Sequence, residues 1–393
     1  MKNKLIEAAF NSSPSGRLGG ALYIHIPFCK QACHYCDFHF STSLKKKDEM
    51  LAALLAELQL RKDEFKNQTV ETIYFGGGTP SLLTPDELQS LIDEVYNNYK
   101  VTDTPEITLE ANPDDLTPGR LKALADLPIN RLSIGIQSFY EDDLKLMNRA
   151  HNTQEAKKCL SVATRYFDNI SVDLIYGIPG LTNERWLANV ETALSFGIPH
   201  ISSYALTVEP RTALENFIKK GLINNVDDDL AREQFYILVE KLEENGFIHY
   251  ELSNFGKSGY FSKNNTSYWL GKPYLGIGPS AHSFDGNVRG WNVSNNTKYI
   301  QSILKNSVPI ETEKLTLKDR YNECVMTGLR TIWGVSLEKI EKDFGTDFKK
   351  YLLEQADTYL NRNLLYLDGD KLLVCKNGKF LSDGIAADLF KID

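Results

Sequence analysis

No stretch of the 393-residue chain approaches the ~20 consecutive apolar residues that cross a bilayer. The opening MKNKLIEAAFNSSPSG lacks the apolar core of a secretory signal. Together these absences predict a cytoplasmic protein with no transmembrane segment, for which peripheral contact is the membrane association left open. Dense positive charge is missing too. Lys and Arg number 44 against 52 Asp and Glu, the formal net charge is −8, and the longest basic run, Lys45 to Lys47, reads as a solvated loop. A nucleic-acid partner is not expected, because such surfaces need a basic patch. Cysteine is scarce: six residues in a chain this long make a poor disulfide framework. The chain also has no internal repeat of fixed period and no low-complexity segment.

Three of those six cysteines nevertheless fall in "FCKQACHYCDF", residues 28 to 38, with the spacing Cys29-x3-Cys33-x2-Cys36. Cys159, Cys324 and Cys375 stand alone and read as small packing residues. In a reducing compartment clustered thiols do metal or redox work. A structural zinc ion usually takes ligands from two separated pairs; with no second pair here, His25, His34 or His39 would have to complete it. Alternatively, three thiolates hold three irons of a 4Fe-4S cluster and leave the fourth iron open to another ligand.

Short β-branched runs alternate with helical stretches from about residue 20 to residue 207. Strands are predicted at Leu22 to Ile26, Thr72 to Phe75, Ile107 to Leu109, Arg131 to Gly135, Ile170 to Ile175 and Ile201 to Leu206. Between them, Glu49 to Leu60 and Pro85 to Tyr96 carry apolar residues at helical spacing, with Thr84 placed to cap the second. This alternation implies an α/β fold, a (β/α)6 part-barrel of parallel strands. In such folds the strand C-termini carry the chemistry. The distinctive residues sit there: Cys29 after the first strand, Gly76-Gly77-Gly78-Thr79-Pro80 after the second, Glu110 and Asn112 after the third, Gln137 after the fourth, Asp173 on the fifth, Ala205 on the sixth. The glycine run is no Walker loop, since no Lys follows it.

The domain order expected is a lead over 1–20, a part-barrel over 21–210, an extension covering the barrel mouth over 211–308, and a small C-terminal helical, winged-helix-like domain over 309–393. The extension holds a helix over Asp227 to Asn245 and a Gly-, Asn- and aromatic-rich stretch, Phe247 to Trp291. In the last domain, helices over Lys318 to Thr331, Leu337 to Phe344 and Phe348 to Asn363 lead to a hairpin, "LLYLDGDKLLV".

The CxxxCxxC loop followed by GGGTP resembles the radical S-adenosylmethionine (SAM) enzymes. With "YIHIPFC", "LEANPDDL", "GIQSF", "MNRAH", "VDLIYGIPG", "YALT" and "LGIGPSAHSF", nearly the whole chain resembles one group of them, that of the oxygen-independent coproporphyrinogen III oxidase HemN and the haem chaperone HemW. The resemblance implies that Cys29, Cys33 and Cys36 bind a 4Fe-4S cluster whose open iron is chelated by SAM. One electron then cleaves SAM to methionine and a 5'-deoxyadenosyl radical. It further implies SAM contacts at Tyr23, Tyr35, Gly77, Gly78, Thr79, Glu110, Gln137, Arg149, Asp173 and Ala205. Arg149 can equally pair with Asp142 or Asp143, and Glu110 and Asp173 can simply cap loops.

The oxidase pattern has a fourth cysteine where this chain has Phe38, and a longer extension than the 28 residues before Cys29. Both differences favour the HemW side, with haem or another tetrapyrrole as cargo, a haem-acceptor protein and an electron donor as partners. Anaerobic coproporphyrinogen III oxidation and a non-catalytic cluster-binding role are the alternatives. The HemW-side motif HNxxYW appears here as "NNTSYW", so Asn265, Tyr268 and Trp269 match and Asn264 replaces the histidine. His282 is a substitute iron ligand or an ordinary loop histidine.

Overall fold

Each of the six β-branched runs becomes a strand. A computed structural model describes residues 19–392 and places β1 (Gly19–Ile26), β2 (Thr69–Gly77), β3 (Val101–Ala111), β4 (Arg131–Gln137), β5 (Ile170–Tyr176) and β6 (His200–Ala205) in parallel, in chain order. Burial along β4 is unbroken and nearly so along β1, as expected of parallel strands covered on both faces. The helices pack outside. In Pro85–Asn98, Leu88, Leu91, Ile92 and Val95 recur at helical spacing and are all buried. Thr84 and Glu87 cap its start reciprocally, as the sequence predicted for Thr84.

The stretch after residue 247, read from the sequence as cover, extends the sheet at both edges. Beyond β6 lie β8 (Asn254–Gly256) and β7 (Ile248–Glu251), antiparallel. At the opposite edge β9 (Tyr274–Ile277) pairs in parallel with β1, followed outward by β10 (His282–Phe284), β11 (Val288–Asn292) and β12 (Ile310–Lys314). Among the described residues this makes one 12-stranded sheet. The helix Lys263–Trp269 lies between the two edges and packs on β1 and β2.

One buried ionic network fixes the β9 edge to the barrel. Glu57, fully buried, accepts hydrogen bonds from Gly278 N at 2.7 Å, Asn292 Nδ2 at 2.7 Å and Tyr299 Oη at 2.5 Å. It also pairs with Arg61, which donates to the Gly276 carbonyl at 2.7 Å. Every contact except Glu57–Arg61 spans more than 200 residues, so the network closes a long loop as well as satisfying a buried charge.

The C-terminal part has its own core, including Tyr321, Val325, Ile340, Leu352 and Leu372. Its helices Leu317–Leu329, Leu337–Phe344, Thr346–Asn361 and Ser382–Asp388 surround a sheet of β13 (Val335–Ser336), β14 (Leu365–Asp368) and β15 (Lys371–Val374). The hairpin between the last two turns through Gly369 at φ +57, a conformation glycine adopts freely. This part meets the barrel through Ile332 N on the Tyr250 carbonyl at 3.0 Å and Lys379 beside His249 at 2.7 Å. Among the described residues no helix is long and apolar enough to cross a membrane.

Glu57→Ala leaves buried Arg61 with only the half-exposed Glu64 as counter-charge and strips Gly278 N, Asn292 and Tyr299 of their buried acceptor, and equilibrium denaturation should show a loss of ~3–5 kcal/mol. Glu354→Ala, which breaks an exposed pair 3.8 Å apart, should cost under about 1 kcal/mol. Equal losses would contradict the role given to the network.

Candidate functional site

The cysteine loop is held at both ends and in its middle. β1 continues into Phe28, whose carbonyl accepts Thr79 N at 2.7 Å, while Ile26 O accepts Gly78 N at 2.9 Å and Ser41 O accepts Cys29 N at 3.1 Å. The middle rests on residues 146–148: His34 Nδ1 donates to Leu146 O at 2.8 Å, His34 N to Met147 O at 3.1 Å, and Gln31 Nε2 to Asn148 O at 2.8 Å. Asn148 sits at φ +55 and returns a hydrogen bond to Ala32 O at 2.7 Å. All three thiols are free and half-buried.

Arg149, the next residue, crosses from this loop to the strand ends. Its guanidinium donates to Cys33 Sγ at 3.3 Å, Asn112 Oδ1 at 2.6 Å and the Gly135 carbonyl at 2.9 Å, with Tyr35 Oη at 3.5 Å. It makes no pair with Asp142 or Asp143; Asp143 is taken by Arg185 at 2.9 Å. Burial works against the charge of Arg149, but Tyr35 and Cys33 more than offset this and hold the pKa above its ordinary value. Burial raises the Cys29 thiol against a lowering hydrogen bond with Thr79, and pushes Cys36 up to about 11.

These residues fit a cluster better than a zinc ion. Among the described residues no three His, Cys, Asp or Glu side chains converge on a single ion. The thiolates of a four-iron cluster each take a different iron and need no such convergence. The three histidines near the loop already have partners. His25 Nε2 donates to His39 O at 3.0 Å, leaving Nδ1 to accept from Tyr23 at 3.2 Å, and His39 Nε2 donates to Asn296 Oδ1 at 2.7 Å. Burial lowers His25 to about 4 and keeps it neutral. Meanwhile Arg149 Nε is buried without a hydrogen-bond partner, and the guanidinium, Thr79 and the Phe38 amide all face the sulfurs with donors suited to a thiolate-bound group.

The glycine run has a reason independent of any ligand. A Cβ on Gly78 would lie 2.5 Å from Phe28 O, and one on Gly77, which has φ +106, would lie 2.5 Å from the His25 ring. β2 can therefore lie against the cysteine loop only without side chains there. Gly77 N also donates to Glu110 Oε2 at 3.2 Å, and Tyr74 Oη to Oε1 at 2.7 Å. Tyr74, a partner the sequence reading missed, is within "YFGGGTPS" and is turned inward by strand alternation. Gln137 ends β4 at φ +67, where the register slips, and a Cβ on Gly135 would touch both Gln137 Nε2 and Arg149 Nη2.

Two spaces open at these strand ends. The larger, about 380 Å3, is lined by Tyr23, Gly77 and Glu110 together with Phe38, Tyr268 and His282. The smaller, about 50 Å3, lies deeper and is lined by Glu110, Asp173, Arg131, Tyr204 and Asn265. Ala205, half-buried and opposite Tyr176, lines neither. Nor does Trp269, whose ring lies 5.6 Å from the Arg330 guanidinium in the C-terminal part. Asn264 is also turned away. It is buried against the middle of β2 and β3, accepts from Thr72 Oγ1 at 2.9 Å, donates its backbone N to Glu106 at 3.0 Å, and interacts through its side chain with the hydroxyl of the cavity-lining Tyr268. Position 264 therefore faces the sheet, and the Asn there completes a buried hydrogen-bond set. His282, by contrast, is exposed toward the larger space and has no hydrogen-bond partner for its ring among the described residues.

Comparison with known proteins agrees with this arrangement. The model of the Radical SAM superfamily matches residues 23–215, and that of the HemN C-terminal domain residues 315–381. The fold and the loop define a radical SAM protein, a class that carries a 4Fe-4S cluster and SAM. The "Heme chaperone HemW" of Bacillus subtilis is 34% identical over 92% of this chain and 97% of its own length. That of Lactococcus lactis is also 34% identical, over 92% and 95%. Coproporphyrinogen III oxidase (HemN) from Escherichia coli, described as a radical SAM enzyme, shares the fold at TM-score 0.83 and 22% identity, over 100% of this chain and 93% of that one. The chain belongs to the HemW family of radical SAM proteins.

Burial raises Glu110 to about 7 against the Tyr74 hydrogen bond, with Asp173 adding to the rise. It raises Asp173 to about 7 as well, against the Ser133 hydrogen bond and the charges of Arg149 and Arg131. The folded chain therefore keeps protons that the unfolded chain releases from about pH 4 upward, and stability falls as pH rises to 7. Asp173→Asn should raise the thermal midpoint of cluster-free protein at pH 8, and raise it less at pH 5. The same change at both pH values would contradict these assignments.

Proposed function

We propose that this chain is a haem-handling protein whose Cys29, Cys33 and Cys36 hold a 4Fe-4S cluster and leave one iron to SAM. Tyr23, Tyr35, Gly77, Gly78, Thr79, Glu110, Gln137, Arg149, Asp173 and Ala205 are the proposed SAM contacts. Arg149 has the reach and charge for a carboxylate, and Glu110 for an amine or ribose hydroxyls. When bound, the cluster and SAM supply one-electron radical chemistry; the residues around them bind, orient and shield. Asn265, Tyr268, Trp269 and His282 are the proposed tetrapyrrole side, with Asn265 acting from the smaller space and Trp269 from outside both. The proposed domains are a core over 21–210, an extension over 211–308 and a C-terminal domain over 309–393, with a haem-acceptor protein and an electron donor as partners in the cytoplasm.

The observation that supports this most is one space of about 380 Å3 whose lining includes both Glu110 and Gly77 and, with them, Tyr268 and His282. That volume lies in the usual range for ligand pockets. At the position of the oxidase's fourth cysteine the wall presents Phe38, 69% exposed, and no thiol. An oxidase reading therefore lacks a group it needs here.

The test is one anaerobically reconstituted sample given reductant, SAM and two tetrapyrroles. Haem should bind with a Soret shift and pass to apomyoglobin, while coproporphyrinogen III yields no vinyl product. Cys33→Ala should abolish 5'-deoxyadenosine release. Vinyl product, or the absence of any Soret shift with an intact cluster, would overturn the proposal.

A further inference from the structure

Beside the larger cavity the sheet edge presents a face that the motif "LGIGPSAHSF" enters only in part, at His282 and Phe284. In the β9–β10–β11 ribbon, Phe284 is opposite both Tyr274 and Arg289, and His282 is opposite Trp291. Cross-strand partners share a face, so these five side chains form one surface. Its rings are close: Tyr274 and Phe284 at 5.9 Å, His282 and Trp291 at 6.2 Å, with Tyr268 edge-on to Tyr274 at 4.7 Å. Tyr268, Tyr274 and His282 also line the cavity, so the face runs continuously into it. Burial and Arg289 lower the His282 pKa, which favours the neutral imidazole and leaves a nitrogen lone pair for a metal.

The cation on this face is already used by an internal carboxylate. Arg289 lies 6.0 Å over the Phe284 ring and pairs with Glu323 at 2.6 Å, each side chain 32% exposed. Glu323 comes from the helix Leu317–Leu329 of the C-terminal part. One turn earlier on that helix, Arg320 has a buried Nε with no hydrogen-bond partner among the described residues, and its Nη1 reaches the ribbon's turn in a long 3.4 Å hydrogen bond to Asn287 Oδ1. Clustered aromatic area, an imidazole without a hydrogen-bond partner and two guanidiniums, one under-satisfied, match a large apolar metal complex with carboxylate arms.

We infer that this ribbon face binds an iron tetrapyrrole bearing carboxylates, with His282 on the iron, Arg289 on a carboxylate, and Glu323 as the internal competitor that the ligand's carboxylate displaces. The inference rests on the haem-handling reading and gives it a site. It also gives that site a consequence. Displacing Glu323 releases one tie between the ribbon and the C-terminal helix, so cargo binding and docking of that helix oppose each other.

The test titrates haem and metal-free protoporphyrin IX into reconstituted full-length protein and three variants. Glu323→Gln should tighten both ligands by about fivefold or more, the low end of a typical coupling. A gain of this kind cannot come from misfolding. Arg289→Gln should weaken both ligands. His282→Ala should change the Soret band of bound haem, with recovery on adding free imidazole, and leave protoporphyrin binding unchanged. Haem binding by the parent chain with unaltered affinity and spectrum in all three variants would overturn the site and leave the haem-handling reading standing. A parent chain that binds neither ligand would overturn that reading, and the site with it.

Discussion

A buried guanidinium joins the parts on which the candidate chemistry depends. Arg149 holds the cysteine loop through Cys33 and Tyr35, the end of β3 through Asn112 and the end of β4 through Gly135 O. Removing a cation from water is costly, and only close partners offset the cost. Those partners must accordingly be held rigidly. The left-handed backbone at Asn148, the slipped register at Gln137 and the bare backbone of Gly135 each follow from this packing. The same geometry leaves Nε buried beside the cysteine loop without a hydrogen-bond partner.

Around that centre the molecule separates rigid support from open space. The Glu57–Arg61 network clamps the ribbon's inner side at Gly276, Gly278 and Asn292. The ribbon's other face, with His282 and Arg289, is left half-exposed. The carboxyls at the barrel's polar interior are held near neutral pH by burial, at Glu110 and Asp173 both. Charge there thus depends on pH and on what occupies the cavity, a behaviour these groups share with buried structural carboxyls such as Glu251.

Local patterns carried most of what could be read from residues alone. Six strands lie where β-branched runs placed them, and the Thr84 cap and the Leu337–Phe344 helix match their predicted positions. What escaped depends on contacts between residues far apart in the chain. Arg61 sits in "LQLRKDEF", which reads as an exposed helix end, yet it is 1% exposed because Gly276 and Ser283 come back to meet it. The parallel pairing of β9 with β1 joins segments some 250 residues apart, and no spacing rule announces it. The motif at 264–269 was legible as a motif, but not its orientation. The helix sends Tyr268 into the cavity, Asn264 into the sheet and Trp269 toward Arg330. Residue types alone do not say which face of the helix each one occupies.

The central claim is that three thiolates on one loop leave a cluster iron open to SAM beside Arg149. Electron paramagnetic resonance of the anaerobically reconstituted, reduced protein tests it most directly. The account predicts a reduced 4Fe-4S signal that changes shape when SAM is added, because SAM binds the open iron. A cluster signal identical with and without saturating SAM would contradict it.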